Sequence, residues 1–294
     1  MKKLNRNWPW IIVFLLPIVV LYSAFFIYPL VFVFITSLME WSGIGGMEFT
    51  GLNNYITLFS SSKFQIAIKN NFIWALAGGF IQVPISTAIA LILARRPKGW
   101  KFFRTSYFLP NVISAVALAM MWKAMYNAEY GAINSLLDMI GLHGWTHNWL
   151  GEISTALPAV ILEKNIYIGY FMIIILAGTM NIPESLYEAS RIDGASVWQQ
   201  EIYITIPMVK GIIVTAMTLS MAYGLRQFEE TFLLTSGGPA NSTNVMGLHL
   251  YNKMDALKYG EANATGVVLI ILGTFVIVAI QRIFGTSDAN EVKQ

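Results

Sequence analysis

The stretch NIPESLYEASRIDGASVWQQEIYITIP, from Asn181 to Pro207, lies between two long apolar runs and carries strong signals of local structure. Pro183 suits the first position of a helix, and Glu184 places a negative charge where the dipole of that helix favours it. Gly194 readily adopts the left-handed conformation that commonly ends a helix. The first half of the stretch therefore predicts one short helix that stops at Gly194.

The second half of the stretch predicts another helix. Ser196 is followed three residues later by Gln199, which is the pattern of a capping box, and Pro207 marks the approximate end. The first helix carries a small apolar stripe, formed by Leu186, Ala189, Ile192 and Ala195. A loop that only connects two apolar runs does not need a compact pair of helices. Two interpretations of the role of this pair remain open. The element either rests on lipid headgroups or docks a cytoplasmic partner.

The 294-residue chain as a whole is strongly apolar: 56% of the residues are hydrophobic, 12% are charged and the mean hydropathy is +0.58. Soluble domains carry about 25% charged residues, so an ordinary soluble enzyme, a coiled coil and a disordered chain are excluded. Runs of about twenty apolar residues cross a bilayer as helices. We predict six such spans, at roughly Trp10–Thr36, Phe72–Ala94, Thr105–Tyr126, Thr155–Thr179, Gly211–Leu234 and Asn263–Ile283.

The basic residues predict the orientation of these spans. Twelve of the nineteen Lys and Arg residues fall on one side, which places both termini in the cytoplasm of a multi-pass inner-membrane protein. The first span is too long for a signal peptide and is interpreted as an uncleaved anchor. We therefore divide the chain into an anchor helix and outer loop (1–70), a core of five helices (71–284) containing the loop 181–207, and a tail (285–294).

Several kinds of chemistry are excluded or unsupported. The chain has no cysteine, and a net charge of +3 is too small to indicate a nucleic-acid partner. The three histidines lack the spacing of metal ligands. The phosphate-binding motif G-x-x-x-x-G-K-[ST] is missing, so no nucleotide site and no cofactor are expected on this chain.

Two motifs resemble one known family. Glu188-Ala189-Ser190, three residues, Gly194, nine residues and Ile204-Thr205-Ile206-Pro207 resemble the EAA motif, E-A-A-x3-G-x9-I-x-L-P, of permease subunits in binding-protein-dependent ABC importers. Ser190 replaces an alanine of that motif, and Ile206 replaces a leucine. Leu234–Pro239, LTSGGP, is similar to the L-T-x-G-G-P of the carbohydrate branch, which includes the maltose permeases. The resemblance covers nearly the full length.

The resemblance implies a function and a set of partners. We expect an all-α type I importer permease with six transmembrane helices, which moves a sugar or sugar derivative by alternating access. The expected partners are a second homologous permease forming a heterodimer, two cytoplasmic ATPase subunits that carry ATP and Mg, an extracellular or periplasmic substrate-binding protein, and membrane lipid. The residues expected to couple to the ATPase are Glu188, Ala189, Ser190, Asp193 and Gly194.

The resemblance also points to a substrate pathway on the spans that flank the EAA loop. Four residues recur at helical spacing on the fifth span, namely Ser220, Tyr223, Gly224 and Gln227. The matching stretch of the fourth span contributes Tyr167, Gly169 and Tyr170. Arg226 and Glu229 are included because ionisable groups inside a membrane are costly and often functional. Helix packing is the alternative role for each aromatic residue.

The intramembrane charges allow two interpretations. Arg226 with Glu230, four residues apart, and Lys164 with Glu229, across helices, could form structural pairs. Alternatively, these groups line the pathway, in which case Arg226 could bind the carboxylate of an acidic sugar. A neutral sugar remains the main expectation.

Other classes of function stay open. A gradient-driven secondary transporter would act without an ATPase, and an ABC permease could carry a non-sugar solute such as glycerol phosphate. A membrane acyl or glycosyl transferase would need a His/Asp/Glu constellation at one interface, which the sequence does not present.

Overall fold

The computed structural model describes residues 4–284, and these residues are mostly helical, with two short strands. The predicted tail, 285–294, lies outside the described residues. Four unbroken helices are long and apolar enough to cross a membrane, and two bent helix pairs bring the number to six. With each bent pair counted as one span, the number of spans agrees with the six predicted. They are numbered as span 1 (Trp10–Thr36), span 2 (Ser62–Ala94), span 3 (Trp100–Val112 with Ala115–Met125), span 4 (Ile153–Asn165 with Gly169–Thr179), span 5 (Val197–Leu225) and span 6 (Tyr259–Phe284).

Shorter elements connect the spans. The remaining helices are Asn53–Ser60, Ala132–Met139, Glu184–Ile192, Glu229–Thr235 and Met246–Asp255, with a 3-10 turn at His143–Trp145. Two short strands, Met39–Glu40 and Glu48–Phe49, pair antiparallel with Met39 opposite Phe49.

Three spans each contain one π-helical turn. These turns are Ser23–Ile27, Gly78–Gln82 and Glu201–Thr205. Each ends two residues before a proline, at Pro29, Pro84 and Pro207. A proline cannot donate a backbone hydrogen bond and its ring crowds the carbonyl of the preceding turn, so a wider turn accommodates it. The prediction that Pro207 ends a helix is therefore wrong, because span 5 runs through it from Val197 to Leu225.

Two other predicted spans need correction. The third was predicted as one helix over Thr105–Tyr126, but its two halves meet at 99°. Ile113 and Ser114 at the bend have extended backbone. The fifth was predicted to continue to Leu234, but its helix ends at Leu225 and a new helix begins at Glu229. Hydropathy registers the apolar run but not the breaks within it.

The described residues divide into two compact units. The first comprises the chain as far as Ser61 together with His249–Val268. Within it, Asn54 Nδ2 donates to the carbonyls of Ser37 and Met39 at 2.9 and 2.8 Å, which fixes the exit from span 1.

The second unit comprises Ser62–Leu248 and the chain from Leu269. Its helices approach closely: a Cβ at Gly224 of span 5 would lie 2.6 Å from the backbone nitrogen of Ala75 on span 2. Spans 2, 4 and 5 share a buried apolar core that includes Val83, Met172 and Ala216. This core holds the walls of the cavity described next.

Candidate functional site

A cavity of about 340 Å³ lies among spans 2 to 5 and the residues that adjoin them. Six of the nine residues predicted for the substrate pathway line this cavity: Tyr167, Tyr170, Ser220, Tyr223, Gly224 and Gln227. The structure thus brings residues from two separate stretches of sequence to one place. Aromatic rings, an amide and a hydroxyl together can offer both flat apolar faces and hydrogen bonds to a bound solute.

The other three predicted residues do not line the cavity. A Cβ at Gly169 would lie 2.1 Å from the Tyr107 carbonyl oxygen, so this glycine permits close packing of span 4 on span 3. The guanidinium of Arg226 lies 5.6 Å from the centre of the Tyr223 ring, a cation–π contact. Glu229 begins the short helix that follows the break after span 5.

Gln82 is a lining residue that sequence reasoning missed. Its side-chain nitrogen donates to the carbonyl oxygens of Tyr167 and Lys164 at 3.3 and 3.4 Å. Its side-chain oxygen accepts from the Ser220 hydroxyl at 3.1 Å. One buried amide therefore links spans 2, 4 and 5 at the cavity wall.

Trp74 and Asn165 also line the cavity and were not predicted. Trp74 Nε1 and Asn165 Oδ1 are buried and have no hydrogen-bond partner among the described residues. Unsatisfied buried polar atoms are uncommon in folded proteins and invite a functional explanation. The hydroxyl of Tyr167, another lining residue, accepts a hydrogen bond from the indole nitrogen of Trp122.

The charged residues beside the cavity form a different pair from those predicted. Lys164 Nζ lies 2.5 Å from Glu230 Oε1, and Gln227 donates to the other oxygen of Glu230. The predicted pairs Arg226–Glu230 and Lys164–Glu229 are therefore wrong. The helix breaks between Leu225 and Glu229, so residues 226 and 230 do not share the helix face that their spacing suggests.

The pair is asymmetric in its exposure. The side chain of Glu230 is 6% exposed, whereas that of Lys164 is 47% exposed and lines the cavity. The buried carboxylate offsets the charge of the ammonium. Lys164 therefore presents hydrogen-bond donors to the cavity without a full uncompensated charge.

The EAA loop, residues 181–207, has the two helices that the sequence predicts. The first runs from Glu184 to Ile192, and Gly194 follows with a φ of +80°. Both hydrogen bonds of the capping box are present: Gln199 N donates to Ser196 Oγ at 3.3 Å, and Ser196 N donates to Gln199 Oε1 at 2.7 Å. The stop at Gly194 and the capping box are confirmed, whereas the second helix continues past Pro207 as span 5.

The loop exposes large side chains as well as charges. Ile192, Trp198 and Tyr203 are 88%, 72% and 75% exposed. Glu188 and Asp193 are exposed and have no ion-pair partner among the described residues. Of the other predicted coupling residues, Ala189 and Gly194 are exposed, while Ser190 is half-buried and donates to the Tyr187 carbonyl at 2.9 Å. Exposed apolar groups rimmed by polar residues are typical of protein interaction sites.

Cavity and loop together define a multi-spanning membrane transport subunit. The sequence model of the family described as binding-protein-dependent transport system inner membrane component matches residues 82–287. The chain belongs to this family, whose members are membrane components of ABC importers rather than enzymes.

Curated relatives cover most of the chain. It is 36% identical to the probable ABC transporter permease protein YurN of Bacillus subtilis (strain 168), over 80% of this chain and 83% of the relative. It is 34% identical to the lactose transport system permease protein LacF of Rhizobium radiobacter, over 88% and 89%. It is 30% identical to the trehalose/maltose transport system permease protein MalF of Thermococcus litoralis, over 88% of each. The resemblance to the carbohydrate branch is thereby confirmed.

A solved structure confirms the fold class. A bacterial alginate ABC transporter, in complex with an alginate pentasaccharide-bound periplasmic protein, contains a chain that superposes with a TM-score of 0.83 at 24% identity. The superposition covers 100% of this chain and 98% of that one. The bundle is therefore that of an ABC importer permease.

Proposed function

We propose that this chain is one permease subunit of an ATP-driven importer that carries a neutral sugar or sugar derivative into the cytoplasm. The observation that carries the proposal is the placement of one aromatic and polar cavity on spans 4 and 5, which the EAA loop joins directly. Relatives named for lactose and for trehalose/maltose support the substrate class.

The cavity suits the chemistry of a sugar. A pyranose ring presents C–H faces that stack on aromatic rings, and its hydroxyls both donate and accept hydrogen bonds. Tyr170 and Tyr223 supply partly exposed rings, and Gln227 supplies an amide. Lys164 adds donors whose charge Glu230 already offsets. These features favour a neutral substrate over a phosphate ester or an acidic sugar, and Arg226, the group predicted to bind a carboxylate, is not among the lining residues.

The partners follow from the EAA loop. Two ATPase subunits would receive this loop and its equivalent on a second, homologous permease, with both termini of this chain in the cytoplasm. ATP and Mg would bind to the ATPase subunits. A substrate-binding protein would dock on the opposite side, near the turn that contains Ser236 and Gly237, both of which have positive φ. That turn is braced by Thr243, which donates to the Gly238 carbonyl at 2.8 Å.

The first test is co-purification of the tagged chain from its native membrane. A second permease and an ATPase should be recovered with it. Recovery of this chain alone, in a mild detergent that preserves other importers, would contradict the proposal.

The second test concerns the cavity. Tyr223→Ala should reduce sugar uptake by the complex about tenfold, because an aromatic contact of about 1.4 kcal/mol corresponds to that factor. Tyr28→Ala is the matched control, since Tyr28 is an exposed tyrosine of span 1 that does not line the cavity. Equal uptake by both variants would argue against this cavity as the sugar site.

A further inference from the structure

An ion pair connects the EAA loop to a span that is distant in sequence. Arg95 follows the last residue of span 2, and Glu201 begins the π-helical turn of span 5. Arg95 Nη2 and Nε lie 2.6 and 2.7 Å from Glu201 Oε1. Arg95 Nη2 also donates to the Val197 carbonyl at 3.2 Å, so one guanidinium holds two points on the second helix of the loop.

The carboxylate of this ion pair is largely buried. The side chain of Glu201 is 11% exposed and that of Arg95 is 36% exposed. Glu201 Oε2 is buried and has no hydrogen-bond partner among the described residues. Arg95 is thus the basic group that compensates this carboxylate, and separating the two would leave a poorly solvated charge.

A second contact joins the first helix of the EAA loop to the start of span 5. The Tyr187 hydroxyl, on the first helix, lies 2.9 Å from Thr205 Oγ1, and Thr205 is fully buried at the end of the π-helical turn. Thr205 Oγ1 also bonds to the Gln200 carbonyl at 3.3 Å. The first helix is therefore hydrogen-bonded to the first turns of span 5, and Arg95 forms an ion pair that links those turns to the end of span 2.

Span 2 extends from this attachment to the cavity. It carries Arg95 at one end and, further along, Gln82 and Trp74 in the cavity wall. Gln82 bonds to Ser220 on span 5 and to backbone carbonyls of span 4. A movement of the EAA loop that carried span 2 with it would change three walls of the cavity together.

We infer that the Arg95–Glu201 pair is a positioning contact that passes the movement of the EAA loop to span 2 and so to the cavity. The inference rests on the proposed function, since it assumes that an ATPase moves the loop. Without the pair, the loop still engages the ATPase through its exposed surface. Its displacement then reaches span 2 only through the packing contacts of span 5.

The test uses the complete importer in proteoliposomes and measures sugar transported per ATP hydrolysed. Glu201→Gln removes the charge and keeps the shape of the side chain. It should retain binding-protein-stimulated ATP hydrolysis within twofold of wild type and transport at least fivefold less sugar per ATP. Arg95→Gln should behave similarly, and Arg95→Lys should recover part of the ratio. Arg96→Gln is the control, because Arg96 contacts the Trp100 ring and has no ion pair among the described residues.

A covalent replacement keeps the inference falsifiable if the charge variants fold poorly. The chain contains no cysteine, so Arg95→Cys with Glu201→Cys gives a unique thiol pair. Bridging it with a short bifunctional thiosulfonate should restore the transport ratio, and a reducing agent should abolish it again. A ratio unchanged in the charge variants, or in the thiol pair before and after bridging, would overturn the inference. Absence of ATP-driven uptake by the wild-type complex would instead overturn the proposed function.

Discussion

Removing Lys164 should destabilise the protein far more than removing its partner. Lys164→Gln leaves Glu230, whose side chain is 6% exposed, with Gln227 as its remaining hydrogen-bond donor among the described contacts. Breaking a buried ion pair costs about 3–5 kcal/mol when an uncompensated charge stays behind. Because the lysine end is 47% exposed, we place the cost near the lower limit, about 3 kcal/mol.

The reverse change leaves the charge in a better environment. Glu230→Gln frees an ammonium that is already half exposed and lines the cavity, so water can solvate it. We expect a cost of about 1 kcal/mol, comparable to one lost hydrogen bond. The double variant removes both charges and should be more stable than Lys164→Gln alone.

The assay is thermal unfolding of the purified importer in one detergent, with the three variants measured side by side. The expected order of melting temperatures is Glu230→Gln highest, the double variant next and Lys164→Gln lowest. A Lys164→Gln melting temperature equal to wild type, or a double variant destabilised by the full sum of the two single variants, would refute the assignment of Lys164 as the counter-ion of Glu230.

Three further outcomes follow from the geometry. Glu188→Lys reverses an exposed charge on the EAA loop and should abolish coupled uptake while the protein stays in the membrane. Immunoblotting of membranes together with an uptake assay checks this. Normal uptake by the variant would contradict it. Arg226→Gln should transport neutral sugar within twofold of wild type, because Arg226 stacks on Tyr223 and does not line the cavity. A complete loss would show that Arg226 takes part in transport. Gly224→Ala places a Cβ 2.6 Å from the backbone nitrogen of Ala75 and should lower the free energy of unfolding by about 1–3 kcal/mol. A melting temperature equal to wild type would show that spans 2 and 5 separate easily.

The sequence predicted the stop of the first helix of the EAA loop at Gly194 and the start of the second at Ser196, because both boundaries depend on local rules. A serine with a glutamine three residues later satisfies two backbone groups wherever it occurs, and Ser196 with Gln199 does so here. The number of spans was also predictable, since an apolar run of that length has few alternatives. The family resemblance then directed attention to residues on spans 4 and 5, and six of the nine line one cavity.

The features that the sequence did not reveal depend on packing between distant segments. Gln82 is one polar residue in an apolar run, and only the approach of spans 4 and 5 turns it into a link between three helices. The break after Leu225 changed the partner of Glu230 from Arg226 to Lys164, which lies 66 positions earlier in the chain. A spacing rule for one continuous helix does not anticipate either contact.

We expect this chain to transport sugar only as part of an ATP-driven complex. The direct measurement is accumulation of radiolabelled sugar in proteoliposomes that contain either this chain alone or this chain with its partner permease and ATPase subunits. Substrate-binding protein is supplied outside the vesicles and ATP inside. The complete complex should accumulate sugar only when both ATP and the binding protein are present, and the chain alone should accumulate none. Accumulation by the chain alone, driven by an ion gradient without ATP, would contradict it.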